Sequence, residues 1–251
     1  MTTDLSDREK QILNLLMEQG TVTVVELSKL LSVSEVTIRS DLRNLEERSL
    51  LNRIHGGAVP SVHPNIVERQ NLLVETKQRI AKAAADLVQD GDTIMIEAGT
   101  TTAMIPRYLF GKRDIHIITN SILAFTAAKS NPSIKLTITG GEFRNSTESF
   151  VGSVAAEALK YFNVRLAFVG TDGFSLERGI TTHLMEAGDI IKVMQQKAEQ
   201  TVLLADSTKW GKMGAVSILP LKSASILITD KNLSPQAMEE LAETNIRLLR
   251  V

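Results

Sequence analysis

Three observations predict an α/β protein in two parts, a small helical head followed by a mostly parallel α/β domain. Residues 6–59 hold three helical segments with start signals and a Gly-Gly turn between short apolar runs. From Thr93 onward, short apolar runs alternate with helical segments, as strands covered on both faces require. Between them lies Pro60-Ser61-Val62-His63-Pro64-Asn65, whose prolines disfavour helix before them and mark a linker. A length of 251 residues suits two domains. The expected limits are 1–59 for the head, 60–74 for the linker and 75–251 for the α/β domain.

In the head, Ser6-Asp7-Arg8-Glu9 is a capping box, in which the Glu side chain reaches back to the cap N–H. Ile12, Leu13, Leu15, Leu16 and Met17 give the first helix its apolar set, and Gly20 stops it. Thr21-Val22-Thr23 reads as a short strand or extended link. A second capping box runs from Thr23 to Glu26, after which Leu27, Leu30 and Leu31 fall on one face. Ser32-Val33 breaks the chain, and Ser34 caps a helix from Glu35 to about Glu47. Ile38, Leu42 and Leu45 are its buried stripe. The opposite face carries Val36, Ser40, Arg43 and Glu47, flanked by Thr37, Arg39 and Asn44. A helix that buries one stripe and offers small polar groups plus arginine on the other suits a DNA major groove. Leu51–Ile54 and Ala58-Val59 around His55-Gly56-Gly57 read as a hairpin that places Arg53 and His55 on a wing. The head is thus expected to be a winged helix-turn-helix contacting DNA through Val36, Thr37, Arg39, Ser40, Arg43, Asn44, Arg53 and His55. Residues 1–57 carry seven Lys/Arg against nine Asp/Glu, a net of −2, so phosphate contact requires the arginines to cluster in space.

Composition removes several function classes. With no cysteine there are no disulfides or thiolate metal sites, and the four histidines do not form a zinc motif. No metal, cofactor or catalytic residue is expected. No apolar run approaches the roughly 20 residues of a membrane span. Thr2-Thr3-Asp4 is polar rather than signal-like, so a cytoplasmic protein that meets no membrane is expected. A net charge of −1 predicts no general affinity for polyanions, so DNA binding must be local and shaped.

Past the linker, Val67 to about Gln89 reads as one helix with Ile80, Ala83, Ala84, Leu87 and Val88 on a repeating face, stopped by Gly91. Strands are expected at 93–97, 115–119, 134–139, 165–170, 201–205, 225–229 and 246–251, and helices at 101–109, 121–129, 154–162, 185–197 and 235–243. Ligands of such sheets bind beyond the carboxyl ends of the strands. Five successive ends are polar: Ala98-Gly99-Thr100-Thr101-Thr102, Thr119-Asn120-Ser121, Thr139-Gly140-Gly141-Glu142 with Arg144 close behind, Gly170-Thr171-Asp172-Gly173, and Ala205-Asp206-Ser207-Thr208-Lys209. Glycine lets backbone approach an anion, hydroxyls donate, and a helix start supplies free N–H groups. Together they fit a small phosphorylated polyol.

Thr37-Ile38-Arg39-Ser40-Asp41-Leu42, the wing Arg53-Ile54-His55-Gly56-Gly57-Ala58 and these loops resemble the DeoR family of bacterial sugar-metabolism regulators, over nearly the whole chain. The resemblance implies a winged DNA-binding domain joined to a sensor related in fold to ribose-5-phosphate isomerase, with a phosphorylated sugar altering DNA affinity. By motif, the effector site takes in Gly99, Thr100, Thr101, Thr102, Thr119, Asn120, Ser121, Gly140, Gly141, Asp172 and Lys209, with Glu97 at the sugar end. The chain departs from the family pattern at Ser40, where Arg is usual, and at Glu97, where Asp is usual. The rival reading is a phosphosugar isomerase with an attached DNA-binding module, using Asp172 as base, Lys209 to hold charge, and Glu97, Glu142 or Glu186 as second acid/base. One short reading helix spans too few base pairs for useful specificity, so a homo-oligomer (dimer or tetramer) on a repeated or palindromic operator is expected.

Overall fold

The computed structural model describes residues 5–48, 50–60 and 64–251. Thr2-Thr3-Asp4 and the linker residues Ser61-Val62-His63 lie outside the described residues. The chain separates into two compact units, Met1–Arg69 and Gln70–Val251.

The first unit runs α1 (Asp7–Gln19), β1 (Val22–Thr23), α2 (Val24–Leu30), α3 (Glu35–Glu47), β2 (Leu51–Ile54) and β3 (Gly57–Pro60). Both capping boxes form, Ser6 with Glu9 and Thr23 with Glu26, and Gly20 ends α1 in the left-handed region at φ 72°. Ser34 Oγ accepts the Thr37 N–H at 3.2 Å and starts α3. The turn before it closes through Ser28 Oγ, which donates to the Val33 carbonyl at 2.6 Å. Ile12, Leu16, Leu27, Ile38, Leu42, Leu45 and Leu51 form the core. Leu30 is exposed instead, because the stripe of α2 is Val24, Leu27 and the half-buried Leu31. The sheet is antiparallel in the order β1-β3-β2. A Cβ on Gly57 would lie 2.1 Å from the Val22 carbonyl oxygen, so β1 can lie against the wing only because this residue is glycine.

The single helix expected over 67–89 is two, α4 (Pro64–Asn71) and α5 (Val74–Asp86). The break is at Leu73, held at φ 51°, a conformation that costs a leucine and that no local glycine announces. Nor does α5 reach Gln89. Its end is taken over by Arg165, which donates to the Leu87 carbonyl at 2.7 Å, and by Asp92, which accepts the Gln89 N–H at 2.7 Å.

The second unit continues with β4 (Thr93–Ile96), a 3-10 run (Thr102–Tyr108), β5 (Ile115–Thr119), α6 (Ile122–Ala128), β6 (Ile134–Ile138), the hairpin β7 (Glu142–Arg144) and β8 (Ser149–Val151), α7 (Gly152–Lys160) and β9 (Val164–Val169). Then come β10 (Gly173–Ser175), β11 (Gly179–Thr182), α8 (Met185–Lys197), β12 (Ala198–Leu204), β13 (Val216–Leu219), β14 (Ile226–Thr229), α9 (Pro235–Ala242) and β15 (Arg247–Arg250). Seven strands form a parallel sheet in the order β15-β14-β12-β9-β4-β5-β6. Alternate strand residues feed two cores. Ile94, Ile96, Leu166, Phe168, Val202 and Ile226 meet α5, the 3-10 run and α6 on one face. Met95, Ala167, Val169, Leu203 and Leu227 meet α7, α8 and α9 on the other. The helix expected at 101–109 is a 3-10 run because Pro106 within it has no N–H to give an α-helical ladder. The β7–β8 hairpin and a second sheet, β10-β11-β13, were not expected, since their strands have three or four residues and begin at glycines or loops.

Thr229 ends β14 on the same side as Leu227, and among the described residues its fully buried hydroxyl has no hydrogen-bond partner. Thr229→Val replaces that hydroxyl with a methyl of similar size. It is expected to raise stability by about 1 kcal/mol, read as a higher denaturation midpoint at unchanged m-value.

Candidate functional site

The side of α3 opposite its buried stripe is open. Val36 is 77% exposed, a position for an apolar side chain that no core claims. Arg39, Ser40, Arg43 and Asn44 are exposed with it, as are Arg53 and His55 on the wing, while Thr37 is half-buried with its hydroxyl 2.9 Å from Ser34 Oγ. Behind this face, α1 grips α3 at two points. Arg8 donates to both Asp41 carboxylate oxygens, at 2.6 and 3.0 Å, and Arg48 donates to Glu9 at 3.4 Å. Asp41 is buried, and two parallel bonds to a planar guanidinium fix the helix against rotation. Sequence reasoning missed Asp41, whose partner lies 33 residues away.

The arginines of the face differ. Arg39 pairs with Glu35 at 3.1 Å. Arg53 donates its Nε to Glu46 Oε2 at 2.6 Å and its backbone N–H to Oε1 at 3.0 Å. These two bonds hold the Glu46 carboxyl below the usual range. Among the described residues Arg43 has no ion-pair partner, Glu47 included. Among the described residues, Arg39 and Arg53 are therefore neutralised by neighbouring carboxylates and Arg43 is not.

In the second unit the crossovers after β4 and β9 leave in opposite directions, so the ends of these neighbouring strands part there. Glu97, buried, crosses the gap and accepts the Gly170 N–H at 3.1 Å. Several expected ligand groups brace this end. Thr102 Oγ1 donates to the Glu97 carbonyl at 2.7 Å, and Thr119 Oγ1 donates to the Ile96 carbonyl at 2.6 Å. Asn120 accepts the Ala98 N–H and donates to the Phe150 carbonyl, both at 3.0 Å. Ser121 Oγ caps α6 through Ala124 N–H at 3.2 Å. Gly140 and Gly141 turn the chain into the β7–β8 hairpin, and a Cβ on Gly141 (φ 111°) would meet the Val151 carbonyl oxygen at 2.7 Å. Asp172 accepts from Thr182 Oγ1 and His183 N–H, each at 3.0 Å, tying its loop to the entry of α8.

Donors remain free. Among the described residues the hydroxyls of Thr100 and Thr101 have no hydrogen-bond partner, and Gly99 lies between them and the carboxyl end of β4. Lys209, half-exposed, closes a 3-10 turn capped by Asp206, and its ammonium group has no ion-pair partner among the described residues. That turn is fixed from β14. Ser207 donates its N–H to Asp230 at 2.6 Å and its hydroxyl at 2.9 Å. Burial pushes the Asp230 carboxyl up, but these bonds and the Asn232 N–H outweigh it and hold it below the usual range. Asp230 was missed, and Arg144, noted beside the third polar strand end, ion-pairs with Glu186 and so fastens the hairpin to α8. Glu148, also missed, is buried at φ 49°, and burial pushes its carboxyl up. Of the acids weighed for isomerase chemistry, Glu97 is bound to Gly170, Glu186 to Arg144 and Asp172 to the α8 entry, while Glu142 is exposed. The hydroxyls of Thr100 and Thr101 and the ammonium group of Lys209, at strand ends, are equipped to bind an anion.

Comparison with known proteins bears on both units. Residues 8–62 match a model described as the DeoR-like helix-turn-helix domain, and residues 73–231 one described as the DeoR C terminal sensor domain. The chain is 36% identical over 243 residues to the lactose phosphotransferase system repressor of Lactococcus lactis subsp. lactis, covering 94% of this chain and 95% of that protein. It is 34% identical over 251 residues to the HTH-type transcriptional regulator GlpR of Haloferax volcanii, covering 97% of each. Among solved structures, ribose 5-phosphate isomerase A from Methanocaldococcus jannaschii aligns over 55% of this chain and 54% of its own at 22% identity, with a TM-score of 0.40.

Asn120 is 1% exposed and serves two backbone groups. Asn120→Ala should leave the Ala98 N–H and the Phe150 carbonyl unpaired and cost about 2–3 kcal/mol. The check is chemical denaturation together with hydrogen exchange over 142–151. Loosening of that hairpin is expected, and a variant of unchanged stability would contradict the bracing role.

Proposed function

The chain belongs to the DeoR family of transcriptional regulators, and from that premise we propose that it represses a sugar or sugar-alcohol utilisation operon, its grip on double-stranded operator DNA altered by a phosphorylated sugar bound in the second unit. The observation that carries this is the exposed, rigidly held α3 face in a chain whose full-length relatives are named as regulators or repressors. Those relatives also place the chain with regulators rather than enzymes. The reading head is residues 1–59, the linker 60–74 and the sensor 75–251.

Thr37, Ser40 and Arg43 read base edges, and Val36 meets a thymine methyl. Arg39, Asn44, Arg53 and His55 hold backbone or the wing's groove. A homo-oligomer presents several reading helices to repeated half-sites, which footprinting reads as paired protections about one helical turn apart. Arg43→Ala is expected to cost about 1–3 kcal/mol on operator and to relax preference at one base position. Equal losses on operator and on random duplex would contradict the assignment.

The effector's phosphate is held by Thr100, Thr101 and Lys209, because a desolvated phosphate must replace water with charge-assisted hydrogen bonds. Glu97 and Asp172 face the sugar end, and Thr102, Thr119, Asn120, Ser121, Gly99, Gly140 and Gly141 shape the site. A thermal-shift panel of sugar and sugar-alcohol phosphates identifies the ligand, since one at about 100 times its Kd adds roughly 2.7 kcal/mol. An effector alters DNA affinity only through differential binding to two states, typically by about 5–150-fold. Lys209→Ala is expected to abolish that response while leaving operator affinity intact. Operator titrations with and without the sugar phosphate decide, and a variant that responds normally refutes the site.

A further inference from the structure

The reading head faces a polyanion, yet its wing arginine is already occupied. Arg53 gives Glu46 both its Nε and its backbone N–H, at 2.6 and 3.0 Å, and the two side chains are 39% and 37% exposed. Glu46 sits near the end of α3, so the same carboxylate spans from the reading helix to β2 of the wing. Arg39 is masked in the same way by Glu35. Over residues 1–57 acids outnumber bases nine to seven, so no surplus of positive charge elsewhere in the head makes up for this masking.

We propose that Glu46 is a built-in competitor for the DNA backbone, so that the wing engages DNA only by exchanging the Glu46 carboxylate for a phosphate. The physical basis is a charge count. In the free head Arg53 and Glu46 form a neutral pair, which releases few counterions from DNA on contact. When Arg53 moves to a phosphate, Glu46 is left as an anion beside a polyanion. The exchange penalises every duplex alike, whatever its sequence. It therefore keeps the head off bulk DNA and leaves stable residence to sites where base contacts add to the total. The inference rests on the DNA-binding reading above and adds the residue that sets its strength.

Glu46→Gln removes the negative charge and keeps one of the two bonds, because the amide oxygen still accepts the Arg53 backbone N–H while its NH2 cannot accept from Nε. The probes are a duplex recovered from a random library by repeated selection with the wild-type chain, and a random-sequence duplex of equal length, each titrated between 50 and 200 mM salt. Glu46→Gln is expected to bind both duplexes about 2- to 5-fold tighter at the low-salt end, the range a half-exposed ion pair spans. Its log–log salt slope should be steeper by about 0.9, one further phosphate neutralised. The gain should vanish in Glu46→Gln combined with Arg53→Gln. Glu18→Gln, which makes the same change in net charge on α1, should leave both slopes unchanged. Weaker operator binding by a folded Glu46→Gln variant, with its slope unaltered, would show that Glu46 only braces the wing and would overturn the proposal. If the wild-type chain selects no duplex from the library, the DNA-binding reading itself fails, a result distinct from a wild type that binds and a variant that gains nothing.

Discussion

Parallel strands cannot be joined by a tight turn, and that constraint organises the larger unit. Each strand of the seven-stranded sheet must be followed by a crossover that packs back on one face. The segments following β4 and β5 cover one face with the 3-10 run and α6, while α7, α8 and α9 cover the other. Where the winding reverses, between β4 and β9, no crossover closes the gap, and a cleft follows from topology alone. Glu97 spans that cleft to Gly170, and the first backbone groups of both loops are thereby fixed. The polar residues nearest the sheet, Thr102, Thr119, Asn120 and Ser121, hold the loops in shape. Those one step farther out, Thr100, Thr101 and Lys209, keep their donors available. Rigid support below and free donors above is the division a binding site needs.

The head follows a comparable logic with charge in place of topology. A helix of 13 residues has little surface with which to fix its own orientation, and α3 is held by a bidentate Arg8–Asp41 pair and by Arg48–Glu9. Arg39 of α3 and Arg53 of the wing, by contrast, are paired with carboxylates at the surface, where ion pairs are weak and exchangeable, and Arg43 is left unpaired among the described residues. The pairs anchored on the buried Asp41 and Glu9 set geometry here, while those between exposed side chains leave the surface free to exchange partners.

Much of this was legible in the sequence. Runs such as Ile115–Thr119 and the helix Met185–Lys197 carry strong local patterns, and the structure places them at those limits. Both capping boxes, the Ser34 cap and the Ile38, Leu42, Leu45 stripe rest on spacing within one turn or two, where sequence separation and contact coincide. The break at Leu72-Leu73 was not legible, because leucine is a helix former and the left-handed residue there is neither glycine nor asparagine. Nor were Arg8–Asp41, Arg165–Asp92 or Arg144–Glu186, which join residues 33 or more apart. For the ligand loops, composition marked the right strand ends but did not distinguish hydroxyls turned toward backbone from those left free. That distinction depends on atoms of neighbouring strands.

The proposed regulation requires a phosphorylated sugar to bind at the carboxyl ends of β4, β9 and β12. A competing location exists at the amino ends of β9 and β12, a cleft of about 320 Å³ lined by Asn163, Arg165, Lys197 and Glu199. Hydrogen exchange with and without the sugar phosphate that most raises the melting temperature distinguishes the two ends. Slower exchange is expected for the amides of 98–102, 170–173 and 206–210 in the liganded protein, with 163–165 and 196–199 unchanged. Protection confined to 163–165 and 196–199 would contradict it.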